Sequence, residues 1–439
     1  MTYENYDSIF EQYLVDIALT STQSNLIDEK ITETISLFLS EYGGDVDIYT
    51  QGSYAMGTTV KPLTSAQSNG SPGEYDVDVV LERSDWKNAN NSLNSVNNIL
   101  VNEYAESVDK KLHESCERVF HSIEPSTGVS FHVDYVPIKL QGTNRKAPKR
   151  SEDVWFDSDT KSLIEWFNGY ADEYLYLQSQ ILILKRIRDT AGLTDILPSI
   201  IITALACELY QDHGSYAGDL VALLEGITRR FSVSYSELSI TIPVLSDDLA
   251  RKIQDVEYEK LQIFFGDILR ELKEALSIGD LISMEQYLSP DFPTDWEKNP
   301  VFLESLRHRG WGLQLDGSLR NVDIEGKSRT GSRKSKRRWM FYSTGAGLEF
   351  RVPTEFDKSI YGIRWQVLNS EESGERFRRG NLFEAKAPGG GKNSNEFVNH
   401  ETEQYQGEHW IKYYVYNKRT KKVEEIGRKF YVEVDNAGN

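Results

Sequence analysis

The stretch Glu74-Tyr75-Asp76-Val77-Asp78-Val79-Val80-Leu81 constrains this chain more than any other. Val77, Val79 and Val80 mark a strand. Asp76 and Asp78 lie two residues apart, so both carboxylates project from one face of it. A second stretch, Phe131-His132-Val133-Asp134-Tyr135-Val136, reads as part of another strand on which Asp134 can join them. Three carboxylates converging on one point repel one another strongly, and divalent metal is the usual remedy. Hard Mg²⁺ prefers oxygen ligands and is commonly held by carboxylates together with substrate phosphates. Two such ions can stabilise both the attacking and the leaving oxygen of a phosphoryl displacement. Asp76, Asp78 and Asp134 are therefore the expected catalytic residues and metal ligands, with two Mg²⁺ ions, or Mn²⁺, as cofactor.

A turn upstream supplies the phosphate half of such a site. Ile48, Tyr49 and Thr50 end a short strand rising out of Gly43-Gly44-Asp45-Val46-Asp47. Gly52-Ser53 lets the backbone approach a ligand closely. Tyr54-Ala55-Met56 can start a short helix whose N-terminal amides would face a polyphosphate. Taken singly, these segments are an ordinary turn, a surface strand and a strand-edge charge. Their order, each at a strand end, is what points to one site.

The run Gln51-Gly52-Ser53-Tyr54-Ala55-Met56-Gly57-Thr58-Thr59-Val60-Lys61-Pro62, followed by Tyr75-Asp76-Val77-Asp78, resembles the bacterial cyclic-oligonucleotide synthases. These are the cyclic GMP-AMP synthase/DncV-like nucleotidyltransferases of anti-phage signalling, in the polymerase-beta-like superfamily. The resemblance implies that Gln51, Gly52 and Ser53 hold a donor triphosphate and that Asp76, Asp78 and Asp134 bind two Mg²⁺. Further on, Leu184-Lys185 to Asp189 and Leu197-Pro198-Ser199 resemble a segment of the same synthases in which a lysine and a serine contact the triphosphate; the matching residues are Lys185 and Ser199. The implied substrates are ATP or other nucleoside triphosphates, and the implied product is a cyclic messenger. A transferase that modifies a protein or an RNA end is the first alternative. A degenerate, catalytically inactive nucleotide-binding regulator is the second. One departure is the Ser/Gly-rich stretch Thr64–Gly73, which lengthens the interval between turn and aspartates and is expected to be a flexible surface loop.

The chain's 439 residues suffice for two or three domains. No apolar run approaches the length of a membrane span, and the acidic Met1-Thr2-Tyr3-Glu4-Asn5 lacks a signal-peptide core, so a cytoplasmic location is expected. Cys116 and Cys207 form no zinc or disulfide pattern and sit in helix-like contexts. The net charge of −19 is uneven: residues 1–300 hold 24 Lys and Arg against 49 Asp and Glu, and residues 301–439 hold 25 against 19. An acidic first part disfavours a nucleic-acid-sensing surface and fits small nucleotides delivered with metal.

The expected fold is α+β: a polymerase-beta-like palm with N-terminal helices (1–170), a helical lobe (171–300), a basic linker (301–339) and an antiparallel β-sandwich (340–439). Strands are expected at 46–51, 75–82, 117–124 and 130–138. A helix is expected over about Asn88–Leu112, and a long helical region over Asp157–Asp212. Seven of the twelve residues Lys327–Arg338 are basic, as in a solvated linker. The last hundred residues alternate or cluster as strands and resemble the adenylyl/guanylyl-cyclase and DncV-like C-terminal domain, a proposed nucleotide sensor. That resemblance implies a regulatory nucleotide or protein ligand there. Arg379, Gly380, Gly407 and His409 are its conspicuous polar and turn positions.

Overall fold

Alternation of apolar and polar residues along 74–83 builds one sheet, and the helices before and after it cover that sheet's apolar face. The computed structural model describes residues 3–19, 21–63, 74–124, 129–278, 284, 287–288, 304–315, 320–328, 333–335, 338–341, 347–353, 356–369, 379–402 and 407–434. The loop expected at 64–73 lies outside them. The chain separates into two units, one of residues 16–274 with 315–317, the other of residues 1–15, 275–314 and 318–439.

Helix α1 (Asp7–Ile17) precedes α2 (Ser21–Tyr42), β1 (Asp47–Gln51), the single turn α3 (Gly52–Ala55), β2 (Glu74–Arg83) and α4 (Ala89–Tyr104). Then follow β3 (Glu117–Glu124), β4 (Val129–Gln141), β5 (Asn144–Lys149), β6 (Val154–Asp157), α5 (Thr160–Glu173), α6 (Leu177–Thr190), α7 (Ser199–Leu209), α8 (Tyr216–Arg230) and α9 (Asp255–Ile278). The first sheet runs β1-β2-β4-β5-β6, with β3 paired to β4; β2 and β4 are parallel and β1 is antiparallel to β2. Odd-numbered residues Tyr75, Val77, Val79 and Leu81 of β2 and Phe131, Val133 and Tyr135 of β4 are buried in one core with Ile27, Ile31 and Phe38 of α2 and Val96 and Leu100 of α4. The even-numbered residues face the other way, and Asp76, Asp78 and Asp134 are among them.

Several expectations shift. Helix α4 stops at Tyr104 rather than Leu112, because Val108 is drawn into a bridge with Val119 of β3. The region 157–212 is β6 followed by three helices; Asp159 caps α5 through Ser162 N (3.1 Å), and Pro198 precedes α7, where its missing N–H is not needed. Cys116 lies just ahead of β3 and not in a helix, whereas Cys207 is in α7; both are buried and unpaired. The hairpin β5–β6 was not expected, since Asn144-Arg145-Lys146-Ala147-Pro148-Lys149 is polar and carries a proline. Such residues suit the border of a sheet.

The second unit contains β7 (Gly312–Leu313), β8 (Arg320–Val322), β9 (Glu325–Ser328), β10 (Arg333–Ser335), β11 (Arg338–Phe341), β12 (Gly347–Arg351), β13 (Tyr361–Leu368), β14 (Arg379–Phe383), β15 (Val398–Thr402), β16 (Gly407–Asn417), β17 (Lys422–Gly427) and β18 (Phe430–Val434). One sheet runs β10-β11-β18-β16-β13-β14, with β17 joined to β16, β7 and β8; a second runs β15-β12-β9. Leu348 and Phe350 of β12 share a core with Trp365, Ile411, Tyr413, Val415 and Val432 of the larger sheet, so the two sheets pack as a sandwich. It is mixed rather than purely antiparallel, since β11 runs parallel to β18 and β17 parallel to β7 and β8. The basic run at 327–338 is in strand at 327–328, 333–335 and 338, rather than being linker throughout. Arg379 has φ +67° and pairs with Glu401 (2.8 Å), and His409 is buried in β16.

Residues 7–15 belong with this second unit. Glu11 is buried, and its two carboxylate oxygens accept the backbone N–H of Leu306 (2.9 Å) and of Arg307 (3.0 Å). Burial pushes its carboxyl up to about 8, against the pull of those two donors. Glu11→Ala leaves both donors buried without an acceptor, each worth about 1–3 kcal/mol. Urea unfolding should show a stability loss of about 2 kcal/mol or more, and an unchanged midpoint would contradict the assignment.

Candidate active site

Four strands contribute one rung. Gln51 of β1 is the register partner of Asp78 in β2, Asp78 of Asp134 in β4, and Asp134 of Arg118 in β3. The next rung pairs Asp76 with His132 and His132 with Phe120. Register partners point to the same face, so three carboxylates, an imidazole and a guanidinium meet on the face away from the helix-covered core.

The chain balances part of this negative charge itself. Arg118 grips Asp134 with two parallel bonds, Nε to Oδ1 (2.7 Å) and Nη2 to Oδ2 (2.8 Å), the strong fork geometry of guanidinium and carboxylate. His132 lies between Glu74 and Asp76: Nδ1 is 3.1 Å from Glu74 Oε2, and Nε2 is 3.0 Å from Asp76 Oδ1. Burial would push the His132 imidazole down, but the Asp76 carboxylate prevails and holds it above its ordinary value. Loss of water tends to raise Asp76 in turn, and His132 outweighs that and holds it below. Among the described residues Asp78 has no cationic side chain paired with it. Burial first, then the charges of Asp76 and Asp134, push its carboxyl up to about 7, although Gln51 hydrogen-bonds it. One ligand atom each of Asp76, His132 and Asp134 lies within 4.8 Å of the others, with Asp78 beside Asp134 in the same rung, so the acidic cluster fits a divalent cation.

The turn touches the rung directly. Gly52 has φ +68°, and a Cβ there would meet Asp78 Oδ2 at 2.6 Å, so only glycine fits. The turn closes on itself through Met56 N to Gly52 O (3.2 Å) and Thr58 N to Ser53 O (2.9 Å). Helix α6 staples it. Lys185 Nζ donates to Ser53 Oγ (2.9 Å), Thr58 O (3.0 Å) and Thr58 Oγ1 (3.0 Å). Gln178 Nε2 donates to Met56 O (2.8 Å), and Arg186 Nη2 to Lys61 O (2.6 Å). Burial lowers Lys185 to about 7. Ser199 opens α7 and accepts from Arg188 Nη1 (2.9 Å), and Arg188 also donates to Leu197 O (3.0 Å).

A cleft of about 640 Å³ is lined by Gly52, Ser53, Asp76, Asp78, Lys185 and Ser199, together with Glu74, Arg188, Asp189, Thr194 and Thr203. Six of the eight residues expected from sequence thus line one cavity. Gln51 and Asp134 sit in the rung beneath it. Sequence reasoning passed over Arg118, His132 and Arg188. Of these only His132 was within reach, because the period of two that puts Asp76 and Asp78 on one face also puts His132 on the face of Asp134. Arg118 depended on the β3–β4 register, and Arg188 on the packing of α6 against α7.

Residues 1–170 match the family model of the Second Messenger Oligonucleotide or Dinucleotide Synthetase domain. No curated protein matches the chain. Among solved structures the chain is similar to the CD-NTase CdnG of Bradyrhizobium diazoefficiens, in complex with GTP, at 14% identity, 64% of this chain, 94% of that one and a TM-score of 0.51. It is also similar to CdnC of E. coli MS115-1, with ATP, at 13% identity, 66% of this chain, 98% of that one and a TM-score of 0.51. At such identities the likeness is one of fold, the α+β nucleotidyltransferase fold expected from sequence. No described helix is long and apolar enough to cross a membrane.

The Asp78 carboxyl gives a pH signature. Its proton is held up to about pH 7 in the folded chain and is lost near 3.8 when unfolded. The folded state is therefore progressively disfavoured as pH rises from about 4 to about 7. In metal-free buffer, Asp78→Asn should melt several degrees above the unsubstituted chain at pH 8, and the gap should narrow at pH 5. A gap that does not change with pH would contradict the electrostatic picture.

Proposed function

We propose that this chain, whose residues 1–170 match the second messenger oligonucleotide or dinucleotide synthetase model, is a nucleotidyltransferase that condenses nucleoside triphosphates into a cyclic di- or oligonucleotide messenger. The supporting observation is the Gln51–Asp78–Asp134–Arg118 rung lying against the Gly52 turn under a nucleotide-sized cleft. Asp76, Asp78 and Asp134 would hold two divalent ions, Mg²⁺ or Mn²⁺. Bound there, the ions would activate the attacking ribose hydroxyl and neutralise the departing pyrophosphate. Asp134 would align the hydroxyl, and Arg118 holds that carboxylate in plane through its two hydrogen bonds. The Gly52 backbone and Ser53 cradle the triphosphate. Lys185, with its ammonium shared between Ser53 and Thr58, sets the shape of that cradle.

Each condensation joins a ribose oxygen to an α-phosphorus and releases pyrophosphate; the last one closes the ring. The excess of acidic residues before position 300 weighs against a tRNA-sized acceptor. The presence of all three aspartates and the Gly-Ser turn weighs against an inactive regulator. All candidate site residues precede residue 200, which supports a regulatory role for the β-rich C-terminal part, in keeping with the sensor-domain resemblance. The resemblance to anti-phage synthases supports a defence role for the product.

Incubation with labelled nucleoside triphosphates should yield small, phosphatase-resistant products. Label on protein or RNA, or no turnover, would overturn this reading. Asp76→Ala or Asp78→Ala should lower the rate about 10³-fold or more while leaving the circular dichroism spectrum unchanged. Near-unchanged synthesis by an Asp76→Asn/Asp78→Asn double variant would refute the assignment. Lys185→Met should raise KM for the triphosphate about tenfold, more than it lowers kcat, because the cradle binds ground and transition states alike. An unchanged KM would return Lys185 to a purely structural role.

A further inference from the structure

We propose that His132 is itself a metal ligand, so that Asp76, His132 and Asp134 form a mixed imidazole–carboxylate site that takes a first-row transition ion such as Mn²⁺ in preference to Mg²⁺. This rests on the proposed role of the two aspartates and goes beyond it, since an imidazole nitrogen is a donor that suits a transition ion and not Mg²⁺.

Three observations carry it. One ligand atom from each of Asp76, His132 and Asp134 can be chosen so that all three lie within 4.8 Å of one another. His132 is only 7% exposed, and its Nε2 is buried without a directed hydrogen bond, although Asp76 Oδ1 is 3.0 Å away. That spacing matches two adjacent ligands of one ion: donor atoms at right angles, each about 2.1 Å from a metal, are about 3 Å apart. Finally, the opposite ring nitrogen is occupied. Nδ1 meets Glu74 Oε2 at 3.1 Å, the arrangement by which a carboxylate fixes the tautomer and aim of a ligating histidine. Phe120 packs edge-on against the ring at 5.9 Å and limits its rotation. An arriving ion displaces whatever proton Nε2 carries and takes up the lone pair aimed into the cluster. Imidazole nitrogen suits transition ions better than Mg²⁺, which demands oxygen.

The test is electron spin-echo spectroscopy of Mn²⁺ bound to the untagged full chain without nucleotide, paired with calorimetric titration of Mn²⁺ and Mg²⁺. Nitrogen modulation from an imidazole is expected, and it should vanish in His132→Asn. That variant should bind Mn²⁺ at least about tenfold more weakly, with Mg²⁺ affinity changed less than about threefold. Bound Mn²⁺ without nitrogen modulation, or modulation that persists in His132→Asn, overturns the proposal and leaves the carboxylate site standing. Absence of Mn²⁺ binding overturns both. Should His132→Asn not fold, Glu74→Gln keeps the ring and removes its Nδ1 partner. Weaker Mn²⁺ binding with Mg²⁺ unchanged then supports the proposal, and unchanged Mn²⁺ binding overturns it.

Discussion

The parallel register that sets Asp78 beside Asp134 is the constraint to which the rest of the first sheet responds. Two carboxylates on neighbouring strands, with Asp76 one rung away, are repulsive by construction. The same alternation that drives Val77, Val79, Val133 and Tyr135 into the core drives the aspartates to the opposite face. Slipping either strand by one residue would bury the charges and expose the valines. Core burial thus holds the acidic cluster together against its own repulsion, and Arg118, His132 and Gln51 relieve what they can. What remains is concentrated on Asp78, which among the described residues has no cationic side chain paired with it.

The turn and helix α6 form the second layer of this arrangement. Gly52 adopts φ +68°, which strains any other residue, and a Cβ there would also displace the Asp78 carboxylate. The turn's shape is then held from above by Gln178, Lys185 and Arg186, all on α6. Burying Lys185 carries a desolvation cost, visible in its lowered pKa, and three acceptors on the turn offset it. The floor and the wall of the cleft are therefore coupled through one helix inside a single unit. Residues 7–15 of the adjoining helix α1 take part in the other unit, through Glu11 and the backbone of Leu306 and Arg307. A chain cut near residue 299 would strip Glu11 of both donors, so loss of the C-terminal part removes more than a passive appendage.

Much of this was legible in the sequence, because period-two alternation is strong where one face of a strand is core and the other is not. Asp76, Asp78 and Asp134 stood out for that reason, and Gly52 did because the turn lies at a strand end. Less legible were features set by tertiary contact. Val108 ends α4 by pairing with Val119, and nothing local marks that. The polar strand β5 and the strand segments in the basic run at 327–338 lack an apolar face to announce them. Arg118 and Arg188 find their partners through strand register and helix packing, neither of which is encoded by spacing along the chain.

The central claim is that the carboxylate rung and the Gly52 turn together bind one metal–triphosphate complex. Crystals grown with Mn²⁺ and a non-hydrolysable nucleoside triphosphate, measured at the manganese absorption edge, test it most directly. The account predicts anomalous peaks bonded to Asp76 and Asp78, with the triphosphate lying over Gly52 and Ser53. A triphosphate bound elsewhere, or no anomalous peak against these aspartates, would contradict it.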